Sequence, residues 1–339
     1  MKYTFFVCDA AADQELMSVL ENVSVGKKPE LTYTTRPSYF AYLAEVSVDS
    51  LVIGVRSPEG ELVGFGTVSV QERMWRGKKI RVGYLEHLRL RGEHRGQGLL
   101  SQAFTHLKQE KGRLRVDFFY TSLVAGNKQA EAILTRERKD YPRLTPMSEV
   151  ETKLFVPRAR RASLQVKRDR KAGINYVKKN CAEMDFFPTG LTEKNLDWFV
   201  AYRRNTVVGA CAVWNQQSSK QVNIVNWGFP LTLLIRAFNL KAAITKSPKL
   251  PLRGELPIAF LTQVVVENTA VFEDLLATVE TEYRCKVPFL IAGFATSDPL
   301  LKAFGARRCI TYKSKLYKAE WEPTQTEVPK TLYPEVALL

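Results

Sequence analysis

The sequence has no Cys-x-x-Cys pair, three histidines and no apolar run of membrane-spanning length. Its five cysteines (Cys8, Cys181, Cys211, Cys285, Cys309) are odd in number and dispersed. That excludes a disulfide framework and fits reduced thiols buried as small hydrophobes. His87, His94 and His106 are too few for a His-rich metal site, so no metal is expected. A bilayer span needs about 18 or more apolar residues. The longest candidates, around 229–238 and 256–266, are shorter and interrupted. The opening MKYTFFVCDAAADQ has one lysine and a brief apolar stretch, with Asp9 and Asp13 close behind, which makes a poor secretory leader. A cytoplasmic protein with no membrane span is the expectation.

What is present in quantity is apolar area and positive charge. The 339 residues include 18 Phe, 13 Tyr and 5 Trp, enough to offset the entropy of ordering a chain, so disorder as the main state is excluded. At roughly 100–200 residues per domain, the length implies two domains. The net charge is +15. It is shared between the halves and densest mid-chain, where Arg158, Arg160, Arg161, Lys167, Arg168, Arg170, Lys171, Lys178 and Lys179 are opposed only by Asp169. Such charge attracts polyanions or phosphate-bearing ligands, and is otherwise a solvated basic surface.

The first half alternates strand and helix patterns. An aromatic strand at 3–8 precedes helical spacing at 13–20 and a short aromatic helix at 37–46. Residues 51–70 read as a hairpin about the turn Ser57-Pro58-Glu59-Gly60. A second turn surrounds Gly77, and 81–90 is a third strand on which period-two alternation places Tyr84, Glu86, Leu88 and Leu90 on one face. A basic glycine-rich loop follows, Arg91-Gly92-Glu93-His94-Arg95-Gly96-Gln97-Gly98. It leads into Leu99, Leu100, Ala103, Phe104 and Leu107 at helical spacing. A strand, a glycine turn and a helix start in that order place free amides and a positive dipole end where a pyrophosphate binds. A strand at 114–123, a helix at 127–136 with Ala130, Ile133 and Leu134 inward, and a strand at 150–156 complete a mixed sheet with helices.

These residues resemble the GCN5-related N-acetyltransferase (GNAT) family. Its signature Arg/Gln-x-x-Gly-x-Gly/Ala reads here Arg95-Gly96-Gln97-Gly98-Leu99-Leu100, and its Asn-x-x-Ala reads Asn127-Lys128-Gln129-Ala130. The resemblance covers about 1–156. It implies acetyl-CoA, or another acyl-CoA, as co-substrate. The amides of Arg95, Gly96, Gln97, Gly98, Leu99 and Leu100, with Ser101, would hold the pyrophosphate. The backbone of Leu90 would pair with the pantetheine arm, and the Leu88 amide would face the thioester oxygen. Asn127 would contact the arm or order its loop. A carboxylate must take the proton of the attacking amine, and Glu86 is the candidate, with Tyr84 second. The bland alternative for Glu86 is a structural ion pair. Two departures stand out: Leu100 replaces a small residue, and Leu134 sits where many members carry a tyrosine acid.

The second half repeats the rhythm without the loop: strands at 198–202, 207–214, 222–227 and 256–266, a helix at 270–283, a strand at 289–294, a short helix at 299–304 and a strand at 310–317. At the loop's place stands Val266-Glu267-Asn268-Thr269-Ala270, with no glycine pair and an acid that repels phosphate. The expected architecture is α/β, an α+β mixed sheet in two tandem GNAT domains. Residues 1–157 form the acyl-CoA-binding domain, 158–179 a basic linker, 180–320 a degenerate GNAT-like domain and 321–339 a tail that is either disordered or docked along the first domain. The helical, apolar insertion 231–243 and the basic stretch 246–253 are read either as a cover for the acceptor cleft or as a loop packed on its own sheet. The expected activity is N-acyl transfer to a small-molecule or peptide amine at one site in the first half, by a chain read as a monomer. The alternatives are a tRNA-dependent aminoacyl transferase, which the charge fits, and a non-catalytic protein binding acyl-CoA or a partner.

Overall fold

The computed structural model describes residues 2–339 apart from 25–28, 137, 246–247, 323–327 and 330. In chain order the elements are β1 (Thr4–Val7), α1 (Asp13–Asn22), β2 (Glu30–Thr34), α2 (Tyr39–Val46), β3 (Asp49–Arg56), β4 (Leu62–Trp75), β5 (Lys78–Leu90), α3 (Leu99–Glu110), β6 (Phe118–Val124), α4 (Lys128–Leu134) and β7 (Arg143–Phe155). Then follow β8 (Gln165–Arg168), α5 (Arg170–Asn180), β9 (Asp197–Arg203), β10 (Thr206–Trp214), β11 (Gln221–Asn226), α6 (Phe229–Thr245), β12 (Gly254–Glu255), β13 (Ile258–Val266), α7 (Thr269–Tyr283), β14 (Phe289–Ala295) and β15 (Cys309–Glu320).

Local chemistry sets the element starts. Ser38, Asp169 and Asn268 cap α2, α5 and α7, their side chains accepting from the amides of Ala41, Ala172 and Val271. The basic segment expected to be a linker is therefore folded in part: β8 pairs with β9, and Val177 of α5 is buried in the core with Trp198 and Val200. Three further readings are corrected by the packing. Ile133 on α4 is 43% exposed, because that helix has only 7 residues and lies at the rim. Residues 111–114 form a 3-10 turn, so β6 starts at Phe118. All five cysteines are free, but Cys285 is exposed rather than buried.

The strands form one twelve-stranded sheet in the order β1-β3-β4-β5-β6-β15-β7-β14-β13-β10-β9-β8. The two halves exchange their last strands. β15, from the end of the chain, pairs with β6 of the first half, and β7 pairs with β14 of the second. β7 and β15 lie antiparallel beside each other from Cys309↔Phe155 to Glu320↔Arg143. A second sheet, β12-β11-β2, ties the halves again. There the Gln221 side chain accepts from Thr34 Oγ1 (2.8 Å) and the Arg36 amide (3.1 Å).

Each half carries a parallel pair that opens. β5 and β6 run together from Val82↔Phe118 to Leu85↔Thr121, and then β5 parts from β6 and runs on to Leu90 paired only with β4. β13 and β14 run together from Ile258↔Phe289 to Phe260↔Ile291 before separating. The second opening is filled. Residues 332–338 are buried in it, with Thr262 Oγ1 donating to Glu335 Oε2 at 2.6 Å and the Val264 amide donating to Tyr333 Oη at 2.9 Å. The tail thus docks into the second half rather than along the first as a strand, while 323–327 and 330 lie outside the described residues.

Gly293 permits this docking: a Cβ there would meet Val336 Cγ1 at 2.1 Å. Gly293→Val is expected to cost about 1–3 kcal/mol by overpacking and to release the tail. Thermal unfolding and limited proteolysis of the 321–339 segment read both effects. An unchanged Tm with a protected tail would show that the contact carries no stability.

Candidate active site

The site is organised by one irregular residue pair on β5. Thr67 pairs with Glu86 and Phe65 with Arg89, so β5 spends one residue more than β4 across the same span. His87 carries the bulge at φ +50, a conformation that costs a non-glycine residue energy and persists where packing enforces it. The bulge overturns the expected alternation. Tyr84 lies on the face shared with Tyr120, whereas Leu90 packs on the opposite face with Val55, Val63 and Leu99 of α3. Leu88, at the bulge, is 46% exposed.

On the α3 side, the loop ends with Gly96 at φ +80 and Gly98 at φ +71, left-handed positions that glycine adopts without strain. Gly98 caps α3 with no side-chain hydrogen bond, leaving the first-turn amides of Leu99, Leu100 and Ser101 for a ligand. Arg95 and Gln97 are exposed along this loop. Ser101 Oγ donates to Asp140 Oδ2 at 3.1 Å, and Tyr3 Oη meets His94 Nδ1 at 2.9 Å, which fixes the loop against β1. Beneath the helix, a narrow apolar cleft of about 90 Å³, partly open to solvent, runs into the β5/β6 opening. Leu85, Leu88, Leu100, Phe104, Leu134 and Leu144 are among its lining residues. Leu100 therefore faces the cleft. Asn127 is placed differently: its Oδ1 accepts from the Ala130 amide at 3.1 Å and caps α4, so it orders the loop.

On the other face lies a buried polar group. The Glu86 side chain is 7% exposed, and burial foremost raises its pKa, with Ser69, Lys220, Tyr42 and Arg89 opposing the rise. Its Oε1 makes no hydrogen bond among the described residues. His87 Nδ1 lies 3.7 Å from Glu86 Oε2 and 2.8 Å from Tyr39 Oη, whose other partner is Thr67 Oγ1 at 2.6 Å. Burial, with Lys220 and Arg89 adding to it, pushes the imidazole well below its usual range, so His87 is neutral near pH 7. Tyr84, stacked on Tyr120 at 4.7 Å, is held well above its ordinary pKa by burial. It is a proton donor near neutral pH and a poor base. The second half supplies Lys220, whose ammonium lies over the rings of Tyr33 (6.0 Å) and Tyr42 (5.5 Å) and is pushed down by burial.

The sequence reading identified Glu86 and Tyr84 and missed His87, Tyr39, Tyr42, Arg89 and Lys220. The signal available for His87 was its place next to an acid on an otherwise apolar strand. For Lys220 there was none, because a distant turn delivers it. Among the described residues no cluster of His, Cys, Asp or Glu is arranged to hold a metal ion.

No protein-family model and no curated protein matches the chain. Solved structures do. Saccharomyces cerevisiae N-myristoyltransferase with bound myristoyl-CoA superposes with a TM-score of 0.61 at 10% identity, over 94% of this chain and 82% of that one. A GCN5-related N-acetyltransferase from Sphaerobacter thermophilus gives 0.57 at 12%, over 95% and 96%. One from Anabaena variabilis gives 0.53 at 10%, over 93% and 72%. The chain has the GNAT fold. The likeness spans both halves, so the second half shares in it. At these identities the likeness speaks for the fold alone. Within a GNAT fold, the open β5/β6 cleft and the glycine-led start of α3 are the features of interest. No helix among the described residues is long and apolar enough to cross a membrane.

Tyr39 is the structural hinge of the polar group. Tyr39→Phe leaves His87 Nδ1 and Thr67 Oγ1 without their shared partner. The expected cost is about 1–3 kcal/mol, read by urea unfolding.

Proposed function

We propose that the protein is an acyl-CoA-dependent N-acyltransferase that moves an acyl group directly to a primary amine, at a single site in its first half. The observation that carries this reading is the contrast between the two openings. The β5/β6 cleft is open and begins at an uncapped, glycine-led helix start. The β13/β14 cleft is filled by the tail, its helix start is capped by Asn268, and Glu267 pairs with Arg203 at 3.0 Å.

In this reading the amides of Arg95 through Ser101 hold the donor's pyrophosphate, and Leu88 and Leu90 flank its pantetheine arm. When bound, the donor supplies an activated thioester. The Leu88 amide, at the bulge, would offer a hydrogen bond to developing negative charge. Glu86 accepts the proton that an ammonium acceptor must lose before it can attack, and its raised pKa suits that task. The protonated phenols of Tyr39, Tyr42 and Tyr84 offer the acid that Leu134 cannot. The acceptor is a small-molecule or peptide amine. The apolar cleft lined by Leu100 and Phe104 accepts an acyl chain, and its length sets acetyl against longer donors.

Calorimetric titration of acetyl-CoA and of longer acyl-CoAs tests the donor. One equivalent should bind, and Gly98→Trp should abolish binding while circular dichroism stays native. Two equivalents would overturn the single site, and no binding of any acyl-CoA by folded protein would overturn the reading. Turnover should depend on Glu86 in its ionised form. Activity therefore rises with pH through a limb placed above the ordinary carboxylate value of about 4.3. Glu86→Gln should remove that limb and lower kcat about 10²–10⁴-fold.

A further inference from the structure

Helix α6 is apolar on two sides. Its inner side is anchored: Ile235 and Ala242 are buried, and Leu231 and Phe238 pack against the core cluster that contains Ile224, Trp227, Ile235 and Leu250. Asn239 fixes the following segment with bonds of 2.8 Å to both the amide and the carbonyl of Leu250. Among the described residues nothing covers its outer side. Phe229 is 77% exposed, Leu233 52%, Leu234 64%, Leu240 70% and Ile244 78%. Phe229, Leu233, Leu240 and Ile244 follow helical spacing and form one stripe, roughly 22 Å long at 1.5 Å per residue. Val225 and Leu252, on the flanking segments, are also exposed.

Along the chain the charge flanking this stripe has one sign, and the nearest acids, Glu30 and Glu255, sit on the small sheet opposite Asn226 and Asn223. From 198 to 254 the sequence contains eight Lys and Arg and no Asp or Glu. Arg236 on the helix, and Lys249 and Arg253 just after it, are exposed. A helix apolar all round is ordinarily buried, and a continuous exposed stripe marks a surface that meets another apolar phase. A second copy of the chain is a poor cover, because it would press these cations against their own equivalents. No helix among the described residues can cross a bilayer, so the apolar phase is one on which α6 lies.

We propose that α6 docks the protein on an anionic lipid surface. The stripe from Phe229 to Ile244 enters the boundary between headgroups and acyl chains, and the basic residues beside it meet the negative headgroups.

Vesicle co-sedimentation of the full chain, with no acyl-CoA present, tests this. The vesicles are phosphatidylcholine alone, or phosphatidylcholine with roughly one third phosphatidylserine. The protein should sediment with the anionic vesicles at least about tenfold more strongly, and less so at about 1 M salt, where the Debye length is ~3 Å. The combined variant Leu233→Gln, Leu240→Gln, Ile244→Gln changes exposed side chains only, so it should keep its Tm and lose about tenfold or more in partitioning. Arg236→Glu with Lys249→Glu should remove the preference for phosphatidylserine. Absence of wild-type binding overturns the proposal, as does binding unchanged in the glutamine variant. So does a concentration-dependent dimer, seen by sedimentation velocity, that the glutamine variant abolishes without any vesicle binding by the wild type.

Discussion

Neither half of this chain closes its own sheet. β6 would present an open edge without β15, and β14 would present one without β7. An exposed edge leaves a row of backbone donors and acceptors unpaired, so each half requires the other's last strand. The exchange makes the β7/β15 pair the seam of the molecule. It also makes the two openings possible. β6 is held along Phe119–Val124 by a strand from the far end of the chain, so β5 is free to part from it after Leu85. The small sheet of β2 and β11 and the docked tail reinforce the seam. Buried Arg73 links these parts further. Its guanidinium donates to Gln71 Oε1, Tyr120 Oη and the Phe186 carbonyl, and Gln71 in turn donates to the Leu338 carbonyl at 3.3 Å.

The two halves repeat one device and use it differently. Gln263 carries a positive φ of 53 on β13, where the pairing with β10 also shifts by one residue. By register it is the counterpart of His87, and Thr262 and Val264 are the counterparts of Glu86 and Leu88. In the second half the chain satisfies these positions itself, through Glu335 and Tyr333. In the first half Glu86 and Leu88 line an open cleft instead. A handful of residues makes the difference: two left-handed glycines against an asparagine cap, and a tail that ends in one opening and not in the other.

What the sequence disclosed was local. Period-two and helical spacing located most strands and the helices α1, α3 and α7, because each pattern spans a single element. The Gly96/Gly98 loop was legible because a left-handed turn before an apolar helix leaves few residue choices. The short strands β2, β8 and β12 were not, since two to five residues carry no period. The alternation along β5 misled past Glu86, because a bulge is invisible to a period-two count. The strand exchange left no local trace: β7 and β15 read as ordinary closing strands whichever partner they take. Lys220 was hidden for the same reason, since only the pairing of β11 with β2 brings it to Glu86.

The arrangement around Glu86 differs from a structural ion pair in a way that bears on function. A carboxylate kept for stability is held below its usual range by a cation in contact, as Glu15 is by Arg56 at 2.7 Å. Glu86 has two cations nearby, yet neither Lys220 nor Arg89 comes within ion-pair distance of it among the described residues, and its pKa moves up. The two cations move the other way, both pushed down by burial. Desolvating the Glu86 carboxyl without an ion pair to either cation costs stability, since desolvation is not repaid by contact. Packing alone gives no reason for the chain to tolerate that cost. The proton-acceptor role proposed for Glu86 gives one, because the same desolvation that weakens the fold raises its pKa.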